Sequence, residues 1–216
     1  MQNRTGGQHP VLNIAVFASG RGTNFQALAE AIAKKNTDAN IVLVISNNSD
    51  AGAVTLARSM HIPALHLSQK QFPSPDGFTD AVLSALESKG ANFIVLAGYM
   101  KRIDPSIIRK FRNRVINVHP ALLPAFGGQG MYGHFVHEAV IAQGAKRSGA
   151  TVHIVDEEYD RGPIVLQESV PVDLGETPET LAEKVLKIEH TLLPRAVELF
   201  AAGKITVSNG KVTIHT

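Results

Sequence analysis

The sequence predicts an α/β protein: a doubly wound, mainly parallel sheet with an antiparallel edge and a C-terminal hairpin. Three observations predict it. From Val11 to Pro120 short apolar runs alternate with stretches of helical periodicity, the pattern of parallel βαβ units. A glycine-rich turn, Ser19-Gly20-Arg21-Gly22-Thr23-Asn24, joins the first run to the first helix. Near the end, two short runs flank Asn209-Gly210, a hairpin signal because the type I′ turn needs positive φ at both positions.

Taken in order, Val11–Ala18 is a mostly apolar run and reads as the first strand, and Phe25–Lys35 carries apolar residues at helical spacing. Ile41–Ser46 reads as a buried strand, Ala51–His61 as a helix and Pro63–Leu67 as a third strand. Asp76–Ser88 sets Phe78, Val82, Ala85 and Leu86 on one helix face. Phe93–Gly98 is a fourth strand, Pro105–Phe111 a helix opened by proline, and Val115–Pro120 a fifth strand. His134–Gly144 reads as a helix. Ala150–Val155 and Ile164–Val172 then follow as strands with only Asp156–Pro163 between them, which favours an antiparallel pair at the sheet edge. Thr177 caps a long helix running to Ala202, with Pro178 in its first turn, Gly203 at its end and Pro194 expected to bend it. Ile205–Ser208 and Lys211–His215 form the hairpin. Residues 1–216 read as one domain, with a core over about 11–203 and the hairpin over 205–215.

Composition narrows the function classes. Hydrophobic residues make up 44% and charged residues 19% of the 216, which is globular and excludes disorder and coiled coil. The longest apolar runs, Ile41–Ile45 and Phe93–Ala97 among them, are far short of the ~20 residues that cross a bilayer. A formal net charge of +2 supplies no field for non-specific nucleic-acid binding. With no cysteine there is no disulfide, thiolate nucleophile or cysteine zinc site, and the first ten residues lack the apolar stretch of a secretory signal. The expectation is a cytoplasmic protein acting on small molecules, without nucleic-acid or membrane partners.

Three groups of residues carry chemistry. In Gly20–Asn24 the glycines let backbone N–H groups and a helix N-terminus converge on an anion, with the Thr23 hydroxyl and Asn24 amide beside them. Phe25 stands where a dinucleotide fingerprint needs its third glycine, and the Gly-Lys-Ser/Thr of a P-loop is absent, so NAD and ATP are disfavoured. A turn and cap without ligand is the alternative. Asn117 and His119, two apart at the carboxyl end of a parallel strand, share one face where such sheets bind ligands; a buried histidine capping its strand is the alternative. Two prolines in Pro120–Pro124 make a cis bond plausible there. Asp160 before Arg161-Gly162-Pro163 reads alone as a turn residue.

Together these residues resemble something definite. Gly20-x-Gly22-Thr23-Asn24, Leu96-Ala97-Gly98-Tyr99-Met100, Ile116-Asn117-Val118-His119-Pro120-Ala121-Leu122-Leu123-Pro124, Thr151-Val152-His153 and Asp160-x-Gly162-Pro163 are similar to the 10-formyltetrahydrofolate-dependent formyltransferase family, from about residue 12 to 203. The resemblance implies a Rossmann-like formyltransferase fold. It also implies transfer of the formyl group of 10-formyltetrahydrofolate, as co-substrate, to the glycinamide amine of a 5-phosphoribosyl substrate in de novo purine (IMP) biosynthesis. The amine would attack the formyl carbon directly, with no metal and no covalent enzyme intermediate. The resemblance assigns Asn117, His119 and Asp160 to catalysis, Asn117 and His119 donating to the oxyanion while Asp160 keeps His119 protonated and helps move the amine proton. It assigns Gly20, Arg21, Gly22, Thr23 and Asn24 to the substrate phosphate, and Glu189 and Pro120 to the substrate amine. Met100, Lys101, Arg102, Ile103, Asn117, Val155, Asp156 and Asp160 are assigned to the folate. Apart from the resemblance, His153 shares a strand face with Thr151 and Val155 and is the candidate for supporting the site from behind.

Some features depart from the family pattern. Phe126–Gly133 is a longer glycine-rich segment than expected and is a candidate lid. Phe72–Asp76 offers no basic residue to a folate glutamate tail, which leaves Lys101 or Arg102. Arg21 and Arg161 are either ligand contacts or solvated surface. His134, His137 and His153 lie near the site by sequence order, and a zinc site among them is disfavoured. A monomer or homodimer is expected. The alternatives are a formyltetrahydrofolate deformylase, which hands the formyl group to water, a tRNA formyltransferase, disfavoured by the low net charge, and a non-catalytic nucleotide-binding relative.

Overall fold

In the computed structural model residues 10–35 and 37–215 are described, so the polar stretch up to His9 lies outside them. Seven strands form one sheet in the order β3-β2-β1-β4-β5-β6-β7. They are β1 (Leu12–Phe17), β2 (Ala39–Ser46), β3 (Ala64–His66), β4 (Phe93–Leu96), β5 (Val115–His119), β6 (Arg147–Ile154) and β7 (Ile164–Pro171). β1 to β5 pair in parallel, while β6 runs antiparallel to both β5 and β7. A separate antiparallel hairpin joins β8 (Ile205–Ser208) to β9 (Lys211–Ile214), and Asn209 and Gly210 carry φ of 50° and 70°, the paired positive values its turn requires.

The period-two alternation of the strands decides which core each residue enters. Ile14, Val16, Phe93 and Val95 face a cluster completed by α1 (Thr23–Lys35), α2 (Gly52–Ser59), α5 (His134–Ala142) and α6 (Pro178–Ala201). Ala15, Phe17, Leu43, Ile45, Ile94 and Leu96 face the other side, against Val82 and Leu86 of α3 (Pro75–Ser88) and Ile107 and Ile108 of α4 (Pro105–Lys110). Helices thus cover both faces, as the alternating pattern predicts.

The boundaries correct the sequence reading in places. α2 stops at Ser59, two residues early, because His61 turns to φ 57°. β6 begins at Arg147 instead of Ala150, paired with Pro171 across the edge. A 3-10 turn at Gln69–Gln71, closed by reciprocal Ser68 and Gln71 bonds, was not foreseen. α6 continues through its buried Pro194 to Ala201. No helix among the described residues is long and apolar enough to cross a membrane.

The order of strands reverses between β1 and β4, and ligands of such sheets bind outside the carboxyl ends at that point. There lie the loop after β1, the segment after β4 and the long connection after β5.

Candidate active site

Register builds the first half of the site. In the antiparallel β5–β6 pair Asn117 stands opposite His153 and His119 opposite Thr151, so all four point to one face. His153 is tied down by its Nδ1–H, which donates to the Ile154 carbonyl at 3.0 Å. That leaves Nε2 to accept from the Asn117 amide at 3.1 Å, which orients Asn117. The turn after His119 is strapped across two strands. The Thr151 hydroxyl donates to the Ala121 carbonyl at 2.6 Å and accepts from the Leu123 N–H at 3.1 Å, and Gln167 of β7 donates to the Leu123 carbonyl at 3.0 Å. The Leu123–Pro124 peptide is cis.

Asp160 reaches the same spot from the β6–β7 connection. It adopts φ 53°, a left-handed conformation that aspartate tolerates, so the turn geometry expected of it and its inward aim coincide. Oδ2 accepts from the Gly128 N–H at 2.9 Å and lies 3.7 Å from His119 Nδ1, while Oδ1 lies 3.5 Å from His153 Nε2. Burial pushes its carboxyl up, but the neighbouring His153 and His119 rings and the Gly128 N–H together outweigh burial and hold it below the usual carboxylate range.

His119 is 3% exposed, and its Nε2–H donates to the Phe126 carbonyl at 2.8 Å. Burial, the strongest influence, draws the ring's pKa below the ordinary histidine value, while Asp160 and the Phe126 carbonyl pull the other way. The sequence reading gives Asp160 that opposing role; in the neutral ring the one proton sits on Nε2, directed at the Phe126 carbonyl.

The second half of the site is backbone. The Ser19 N–H donates to the Gly98 carbonyl at 3.0 Å and the Ser19 hydroxyl accepts from the Met100 N–H at 2.8 Å, fixing the glycine turn to the segment after β4. Gly22 has φ 83°, and a Cβ there would stand 2.7 Å from Ala53 Cα of α2, so only glycine lets the loop lie this close to its neighbouring helix. α1 starts at Thr23 with no acidic residue in its first turn, leaving its first N–H groups to an anion. The Asn24 side-chain amide donates to Glu189 Oε2 of α6 at 3.0 Å, which commits one of its two hydrogens. Burial drives the Glu189 carboxyl up to about 7 although the Asn24 amide opposes it.

The two halves share one cavity of about 930 Å³, lined by Gly20–Asn24, Asn117, His119, Pro120, Asp160 and Glu189, with Met100, Lys101 and Arg102 on its wall. A smaller pocket of about 90 Å³ opens beside it between Leu96, Tyr99, Ile103, Ile108, Val155 and Asp156, with Asn117, His153 and Asp160 at its inner end. Every residue that the sequence nominated for catalysis, phosphate, amine or folate therefore borders one of two adjoining spaces. Arg102 is committed elsewhere: it donates to the Glu157 carbonyl at 2.8 Å and lies over the Tyr159 ring, which leaves Lys101 as the candidate for a glutamate tail. His153 serves Asn117, whereas His134 pairs with Glu138 at 3.2 Å, and among the described residues no three such side chains are grouped as metal ligands. Sequence reasoning missed the Phe126 carbonyl, the Gly128 N–H and the Glu157 contacts; it placed His137 near the site by sequence order, and the residue is buried on the cavity wall. The one signal pointing to the first two was the unusual glycine content of 127–133.

A glycine-rich turn open to an anion faces an amide, an imidazole and a carboxylate at the carboxyl end of a Rossmann-like sheet, and residues 12–197 match the formyl transferase family, to which this chain belongs. Among curated relatives, the chloroplastic phosphoribosylglycinamide formyltransferase of Arabidopsis thaliana is 43% identical over 85% of this chain; the chain spans 63% of that protein's length. Among solved structures, glycinamide ribonucleotide transformylase 1 of Symbiobacterium toebii superimposes with a TM-score of 0.91 at 34% identity, covering 100% of this chain and 99% of that one. A formyltetrahydrofolate deformylase of Pseudomonas syringae is more distant, with 25% identity, a TM-score of 0.85 and 66% of its own chain covered.

Proposed function

We propose that this chain transfers the formyl group of 10-formyltetrahydrofolate to the amine of glycinamide ribonucleotide. The observation that carries the reading is the single cavity joining the Gly20–Asn24 turn to Asn117, His119 and Asp160. The turn holds the 5′-phosphate, the adjoining pocket behind Val155 and Asp156 takes the pterin, and the formyl carbon then lies between them. The amine lone pair forms the new N–C bond while the formyl C=O electrons move to oxygen. The attacking nitrogen then gives up a proton, and collapse breaks the bond to the folate nitrogen, which takes a proton as it leaves.

Asn117, aimed by His153, donates to the developing oxyanion; one such donor is typically worth about 2.7–4 kcal/mol. His119 can donate only from Nδ1, since Nε2–H is held by Phe126. It therefore needs a second proton. Burial resists that proton in the free enzyme, while the Asp160 carboxylate 3.7 Å away and the growing negative charge of the transition state favour it. The protonated ring is thus stabilised where the charge develops, so the interaction accelerates the step instead of merely tightening binding.

The test is an assay of purified protein with both substrates, following folate product by absorbance and omitting the nucleotide as control. Nucleotide-dependent turnover is expected. Turnover without nucleotide would instead establish the deformylase reading, and no turnover with intact folate binding would leave a non-catalytic relative.

A further inference from the structure

Resting on that reading and going one step further, we propose that Glu189, aimed by Asn24, is the base that takes a proton from the substrate's ammonium before attack.

Two protons must leave the substrate nitrogen. An amine of this kind, with a pKa of about 7.7–8.0, reaches the enzyme near neutrality mostly as ammonium, which has no lone pair to give. One proton must go before the N–C bond forms and the second after it. Asp160 sits on the formyl side, among His119, His153 and Gly128, and its carboxyl is held low. It suits the second proton, released by the strongly acidic nitrogen of the tetrahedral adduct. The first needs a weaker acid on the nucleotide side, and Glu189 is the buried carboxylate there, Glu179 and Glu183 of the same helix being exposed: it lines the same cavity from α6, is 7% exposed and meets the phosphate turn through Asn24.

The Asn24 bond occupies Oε2 and leaves Oε1 for the ligand. In the transfer an N–H bond of the ammonium breaks, an O–H bond forms on Glu189, and the freed pair attacks the formyl carbon. A buried site favours this, because a neutral amine beside a neutral carboxyl costs less desolvation than a buried ion pair. The proton then returns to water through the cavity.

The other titratable groups around Glu189 leave this assignment intact. The cavity wall carries Arg21 from the turn, His119 from β5, His134 and His137 from α5, and Glu179 and Glu183 from α6. His153 of β6 is engaged with Asn117, and Glu30 of α1 acts on His190. Burial and the Asn24 amide are the influences on Glu189, and they place its carboxyl at about 7, close to the amine it must deprotonate.

The experiment is the pH profile of kcat/KM for glycinamide ribonucleotide in wild type, Glu189→Gln and Asn24→Ala. Wild type should show an acid limb near 7. In Glu189→Gln the limb should move to the amine's own value of about 7.7–8.0, giving a deficit of about fivefold at pH 6.5 that closes by pH 9. Asn24→Ala removes the donor that favours the carboxylate, so its limb should move above that of wild type, which also guards against a Gln variant that folds poorly. A deficit in Glu189→Gln that is equal at every pH, or a limb that stays in place in both variants, overturns the inference while formyl transfer stands. Wild type that forms no formylated nucleotide overturns the functional reading itself.

Discussion

The two walls of the cavity are built differently. The phosphate wall is a turn between a strand and a helix, fixed by backbone bonds to its neighbours and by the contact of Gly22 with α2. The wall proposed for catalysis is assembled from three segments: β5, the glycine-rich stretch at Phe126–Gly128 that begins 7 residues beyond His119, and the β6–β7 connection, where Asp160 lies 32 residues beyond Gly128. Side chain to backbone bonds hold it together, from His119 to Phe126 and from Gly128 to Asp160. An anion asks only for convergent N–H groups, which local geometry supplies. A developing oxyanion asks for side chains at set protonation states, and only tertiary structure can arrange those.

This contrast can be broken or sharpened by mutation. The largest effects should come from the catalytic wall: Asn117→Ala, His119→Ala and Asp160→Ala should each lower kcat by 10²-fold or more, about 2.7 kcal/mol, with nucleotide affinity nearly unchanged by calorimetry. A variant with wild-type kcat would remove its residue from that wall. Next comes the phosphate turn, where the contact with Ala53 revises a simple binding effect. Gly22→Val should destabilise the fold by about 1–3 kcal/mol, read as a lowered Tm, because the new side chain collides with α2 backbone. Gly20→Ala meets nothing within 4 Å, so it should keep the Tm and raise only the nucleotide KM. An unchanged KM would count against a phosphate there. A subtler effect concerns protonation: Asp160→Asn removes the chief influence raising the His119 pKa, so the ring should titrate at still lower pH by NMR. A rise would mean that another group controls the ring. The smallest effect belongs to the folate side. Arg102→Met frees the Glu157 carbonyl and the Tyr159 ring, and should raise the folate KM a few-fold with kcat intact.

How much of this was legible in the sequence follows from the same contrast. Period-two and helical spacing located the strands and helices, and the glycine turn and the Asn117–His119 pair announced the carboxyl edge, because each is a local pattern. The protonation bias of His119 was hidden. It depends on how deeply the ring is buried and on a carbonyl at Phe126, whose φ of 55° no periodicity signals. The Asn24 bond was hidden for a similar reason: its partner Glu189 lies on the last helix, and nothing in the turn itself announces that pairing.

Gln167 sits on the outermost strand, yet it grips the turn that follows His119. The rim of the sheet thus anchors a turn at the cavity, so a side chain that never borders the cavity helps to set the shape of its wall.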